Sequence, residues 1–118
     1  MKRILVILFF LNLLSAYSQF EPNFKYSYNL KDTINGQIET AKRVKYYSDL
    51  KQVDKVIDMF SQKQQEKIRI IRQNDGNFKA WCDAWTLPND KLKRYISRIE
   101  RRKGNFVFEN GFWKINEN

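Results

Sequence analysis

The chain has 118 residues, 42% hydrophobic and 30% charged, an ordinary globular balance and length enough for one domain. With 22 Lys and Arg against 13 Asp and Glu it carries +9, an attraction toward polyanions that a need for solubility would also explain. It has no histidine and one cysteine, Cys82, which excludes an intrachain disulfide, the commonest metal ligand and every Ser-His or Cys-His nucleophile pair.

Residues 1–18 have the form of a Sec-type export signal. Lys2 and Arg3 make a charged start, residues 4–14 are apolar apart from Asn12, and Ala16 and Ser18 put small residues at the −3 and −1 positions for cleavage before Gln19. The apolar run is shorter than the ~17–25 residues a membrane-spanning helix needs. No cysteine follows the cleavage point, so a lipid-modified N-terminus is not supported. Lys2 and Arg3 leave with the signal, which lowers the charge to about +7. Phe24, Tyr26, Tyr28 and Leu30 then alternate with polar residues, the period-two pattern of a half-buried strand, and Asn35-Gly36 reads as a turn after it.

Residues 37–73 are helical in character but not one helix. Ile38, Ala41, Val44, Tyr47, Leu50 and Val53 recur every three residues, a stripe that drifts around a 3.6-residue helix, so a break is expected at Ser48-Asp49 with Asp49 as N-cap. The next helix should bury Leu50, Val53, Val56, Ile57 and Phe60. Ser61 followed by Gln64 opens a polar helix to Gln73 whose thin apolar edge is Ile68 and Ile71, with Asn74-Asp75-Gly76 as its stop.

Phe78, Trp81, Cys82 and Trp85 share one helical face, with Asn77 as the expected cap. That face is either an aromatic platform or core, since aromatic residues dominate small cores. Pro88 starts a further helix with Leu92, Tyr95, Ile96 and Ile99 inward and Lys103-Gly104 at its close. Residues 88–104 hold seven basic side chains against two acidic ones. At ~100° per residue, Lys91, Arg94, Arg98, Arg101 and Arg102 fall on one outward arc. The last cations also suit the negative end of a helix dipole. At the C-terminus Asn110-Gly111 sits between apolar runs, the strongest short-range hairpin signal, because a type I′ turn needs φ > 0 at both central residues. The register puts Phe106, Phe108, Trp113 and Ile115 on one face, which needs a cover.

Chemistry-bearing motifs are sparse. The four glycines form no phosphate loop, Asp54 and Asp58 lack a third ligand, and Asp83 is predicted to point away from the aromatic face. Cys82 has no histidine partner. The Asp-bearing helix at 54–60, with Met59 and Phe60, and the closing run Gly111-Phe112-Trp113-Lys114-Ile115 resemble pieces of the nuclear-transport-factor-2-like superfamily. The resemblance implies a curved sheet and helices around a ligand pocket, often in a non-catalytic module. It covers two short pieces, and the long middle strands of that fold have no counterpart in 77–103. No pocket or site residue is carried over.

The expectation is a signal peptide over 1–18 and a single α+β domain over 19–118, with several short helices packed on a small antiparallel sheet that includes the C-terminal hairpin. The leading functional expectation is an exported, non-enzymatic binding protein of the bacterial periplasm or exterior. Its polyanion-contacting residues would be Lys91, Arg94, Arg98, Arg101 and Arg102, and its partner an anionic polymer, a membrane surface or an envelope protein. The alternative is a small-molecule or glycan-binding module with a pocket of Trp81, Trp85 and Trp113. A small hydrolase is the third reading. No metal or cofactor is expected.

Overall fold

The computed structural model describes residues 32–117. The export signal at 1–18 and the strand expected over 24–30 lie outside them. The described residues form five helices and a two-stranded antiparallel sheet, the α+β arrangement expected from the sequence.

Helix α1 (Thr33–Asp49) starts earlier than the sequence pattern suggests and runs through Asn35-Gly36, where a turn was expected. Tertiary burial overrides the local preference, which for glycine in a helix is only about 1 kcal/mol. Gly36 is buried, and Ile34, Ile38 and Ala41 pack on Tyr95 and Ile99 of the last helix, α5 (Asn89–Glu100). The break after α1 falls two residues beyond Ser48-Asp49. Asp49 is the last helical residue rather than the next N-cap, and Lys51 takes a left-handed φ of 60°. Lys51 N–H donates to Ser48 O and Gln52 N–H to Tyr47 O, the paired bonds of a Schellman stop. The turn carries Leu50 outward, leaving it 37% exposed instead of on the core face.

A single turn, α2 (Val53–Ile57), leads to Met59 and Phe60, which are buried with Val56. Helix α3 (Gln62–Ile71) is capped as its sequence indicates: the Ser61 hydroxyl accepts from Gln64 N–H at 3.2 Å. In α4 (Asp75–Ala84) the cap is Asn74 rather than Asn77, its side chain accepting from Asn77 N–H at 3.0 Å. Gly76 therefore lies inside α4 instead of ending α3. Trp81 and Trp85 flank the Phe60 ring at centroid distances of 5.3 and 4.8 Å, so the aromatic face of α4 closes over the core.

Strands β1 (Phe106–Glu109) and β2 (Phe112–Ile115) pair as read from the sequence: Phe106 with Ile115, Val107 with Lys114, Phe108 with Trp113, Glu109 with Phe112. Asn110 and Gly111 have φ of 53° and 81°, as a type I′ turn requires. Alternation of the ladder turns the backbone groups of Trp113 and Ile115 away from β1. They find other partners. The Thr40 hydroxyl donates to Trp113 O at 2.6 Å, Ile115 N–H donates to Met59 O at 2.9 Å, and Ser61 N–H donates to Ile115 O at 2.8 Å. The segment at 59–61 thus acts as a short parallel neighbour of β2, with Phe60 bridged to Ile115. The main core is Val44, Tyr47, Val56, Met59, Phe60, Ile68, Leu87 and Ile115, against which Phe106 and both α4 tryptophans pack.

Candidate functional site

Helix α5 is built to show two faces. Tyr95 and Ile99 are buried, with Leu92 half-buried beside them, against α1 and the hairpin, and Ile96 is half-buried. One turn apart on its flank stand Lys91, Arg94 and Arg98. They look onto the C-terminal end of α4, and the space between is a groove of about 460 Å³ lined by Ala84, Trp85, Leu87, Lys91, Arg94, Tyr95, Arg98 and Glu117. That volume lies in the range of about 300–1,000 Å³ typical of ligand sites. Leu87, Trp85 and Tyr95 make the apolar wall, with the Trp85 and Tyr95 rings edge to face at 6.0 Å.

The cations of the groove are not equivalent. The Lys91 ammonium donates to Ala84 O, the last residue of α4, and so caps that helix. Arg98 lies 5.8 Å over the Tyr95 ring, and its Nη2 donates to Glu117 Oε1 at 3.3 Å. Arg94 is exposed and forms no ion pair among the described residues. Tyr95 is nearly fully buried, and its hydroxyl has no hydrogen-bond partner among the described residues. Burial first, and the Glu117 carboxylate second, push its pKa well above the usual phenol range.

The structure divides the five-residue arc. Lys91, Arg94 and Arg98 share the groove, but α5 ends at Glu100 before the arc is complete. Arg101 folds back, its Nε donating to Ser97 O at 3.3 Å. Arg102 is left-handed, with φ 58°, and lines a separate cleft with Thr33, Ile34, Gln37 and Gly104. Arg102 N–H donates to Ile99 O and Lys103 N–H to Arg98 O, a second Schellman stop. Gly104, expected to close the helix, serves another purpose. A Cβ there would come within 2.8 Å of the Phe106 ring.

The three tryptophans are likewise divided. Trp81 and Trp85 line a smaller cleft of about 110 Å³ with Ser48, Lys51, Gln52, Val53, Val56, Cys82, Asp83 and Thr86. Trp85 stands between that cleft and the basic groove. Trp113 borders neither. It pairs with Phe108 on the hairpin at 5.3 Å, its indole Nε1 buried without a partner among the described residues. Cys82 in the smaller cleft is not activated, since burial, with Asp83 beside it, pushes the thiol pKa up. Asp54 pairs with Arg72 at 2.8 Å. No cluster of three or more acidic or thiol groups fit for a metal occurs among the described residues.

Local sequence reasoning missed Leu87 and Glu117 as groove residues. Leu87 follows α4 with no periodic pattern of its own, and Glu117 reaches the groove only because the hairpin folds it back. No known protein family, curated protein or solved structure matches the chain.

Proposed function

We propose that the protein is an exported, non-catalytic binding module that contacts an anionic polymer through the groove face of α5. The observation that carries this reading is the convergence of Lys91, Arg94 and Arg98 on a concave, aromatic-walled surface. Cations at a groove rim attract a polyanion at long range, and an apolar wall adds short-range contact that a flat basic surface lacks. Export is supported by the charged, apolar and small-residue pattern of 1–18. A non-catalytic role is supported by a chain without histidine and by a thiol whose pKa burial pushes up rather than down.

Binding to heparin, DNA and anionic vesicles, titrated in salt, tests the reading. Affinity for heparin or DNA that falls as salt rises is expected. Affinity for vesicles alone would make the partner a membrane surface. No affinity for any of the three at low salt would overturn the proposal.

A second reading, a glycan or small-molecule module, is favoured by Trp85 bordering both clefts and Trp81 bordering one. Indole emission that shifts with neutral sugars or peptidoglycan fragments would select it. Indoles that stay unmoved by every such ligand would leave the basic groove as the site.

A further inference from the structure

The basic groove already holds a carboxylate. Glu117 lines it, and its Oε1 stands 3.3 Å from Arg98 Nη2, with 22% of the Glu117 side chain exposed against 45% of Arg98. The residue before it is tied down on both sides. Asn116 N–H donates to Asn105 O at 2.9 Å, and the Ser61 hydroxyl donates to Asn116 Oδ1 at 2.7 Å. Ile115 is wholly buried and joined through its own N–H and C=O to Met59 and Ser61. The hairpin therefore delivers Glu117 to the groove from a base fixed at Asn116. Arg98, lying over the Tyr95 ring beside the Trp85 wall, is a place where an anion could meet both a guanidinium and an aromatic surface.

We propose that Glu117 is an internal competitor for this groove: its carboxylate occupies Arg98 in the free protein and yields it to the phosphate, sulfate or carboxylate of an incoming anionic polymer. This rests on the polyanion reading above. An exposed pair of this kind is weak, equivalent to roughly 2- to 5-fold in an equilibrium, so the carboxylate can be displaced rather than blocking the site. Its effect is selection. An anion held by Arg94 alone leaves Glu117 in place, whereas one that takes Arg98 Nη2 replaces it. The groove thus discriminates between anions held by Arg94 alone and anions that also take Arg98.

The test uses heparin as the probe, with affinity followed in stepped salt by calorimetry. Glu117→Gln keeps the side chain's shape and removes its charge. It is expected to bind heparin about 2- to 5-fold more tightly, with a salt slope steeper by about one ion as Arg98 becomes available. Glu66→Gln, an exposed position on α3 that does not border the groove, matches the change in net charge and should gain less than half as much. Glu117→Asp keeps the charge but draws the carboxylate back from Arg98, and should give a gain between the two. In an Arg98→Gln background the gain from Glu117→Gln should fall to that of Glu66→Gln, because the two groups act as a pair.

If wild type binds heparin and Glu117→Gln binds no better than Glu66→Gln, the competitor is overturned while the polyanion reading stands. A gain above that of Glu66→Gln that survives Arg98→Gln also overturns it, since Glu117 would then act elsewhere. If neither wild type nor Glu117→Gln binds heparin at low salt, the polyanion reading fails and the competitor with it.

Discussion

The two ends of α5 carry the same chemistry and are put to opposite uses. Lys91, Arg94 and Arg98 stand on its first three turns, and Arg101, Arg102 and Lys103 follow its last. The first three face a concavity walled by Trp85 and Tyr95. The last three terminate the helix. Two of them supply the backbone N–H groups of the Schellman stop, and all three lie where the helix dipole favours cations. Density of charge along a helix therefore does not mark a binding surface. A site needs a neighbouring element that makes the surface concave, and here the C-terminal end of α4 supplies it.

The comparison breaks most completely if the wall is removed. Trp85 contacts Phe60 at 4.8 Å and Tyr95 at 6.0 Å, so it joins the main core to the groove. Trp85→Ala should cost about 2–4 kcal/mol, below the loss at a fully buried tryptophan because the indole is half-exposed. Thermal or urea unfolding reads it. The groove should lose its anion preference with its wall, leaving heparin binding no stronger than that of a flat basic surface.

Next in size is a paired neutralisation. Arg94→Gln with Arg98→Gln should weaken heparin binding by about 10-fold at low salt and reduce the salt slope by about one ion, since Glu117 already offsets Arg98. Arg101→Gln with Arg102→Gln removes the same charge from the other end and should cost less than about 3-fold, through long-range attraction alone. Equal losses from the two pairs would return the binding surface to the whole arc.

What could be read from the sequence follows the range of the forces involved. The hairpin register was legible residue by residue because Asn110-Gly111 fixes it within two positions. The Ser61 cap was legible for the same reason, one side chain meeting a backbone group three residues on. The ends of α1 and α5 were not. Lys51 and Arg102 hold left-handed conformations that a sequence reader assigns to glycine or asparagine, while Gly104 is small because Phe106 approaches it. The turn at Asn35-Gly36 gave way to α1 because its neighbours bury against α5, which no local pattern announces. The groove was half legible. Its cations and Trp85 stood out by type and spacing, but Leu87 and Glu117 enter through tertiary folding.

Tyr95 gives a smaller effect of known sign. Its hydroxyl is buried beneath the groove without a hydrogen-bond partner among the described residues. Tyr95→Phe removes that group and keeps the ring against Trp85 and Phe106. At neutral pH it should be neutral or stabilising by up to about 1 kcal/mol. The pH dependence is more specific. Folding raises the phenol pKa, so the unfolded chain ionises first, near the ordinary value of 10.0. Stability is then whole below that pH and lost as pH rises through it. In unfolding experiments across pH 9 to 11 the wild type should lose stability more steeply than Tyr95→Phe. Parallel curves for the two would mean that the hydroxyl has access to water.

The smallest effect separates charge from conformation at the far end of α5. Arg102 sits at φ 58°, where an L-residue is strained and glycine is not. Relief of that strain favours Arg102→Gly by about 0.5–1 kcal/mol, although the change removes an exposed cation from a helix terminus where the dipole favours one. The dipole contribution is about 0.3–1 kcal/mol and acts in the opposite direction, so the net gain should be a few tenths, visible as a small rise in Tm. Heparin affinity should change by less than about 2-fold, since Arg102 faces Thr33, Ile34 and Gln37 rather than the groove. A fall in affinity matching that of Arg94→Gln would show that the left-handed turn presents Arg102 to the polymer. The two ends of α5 would then act as one surface.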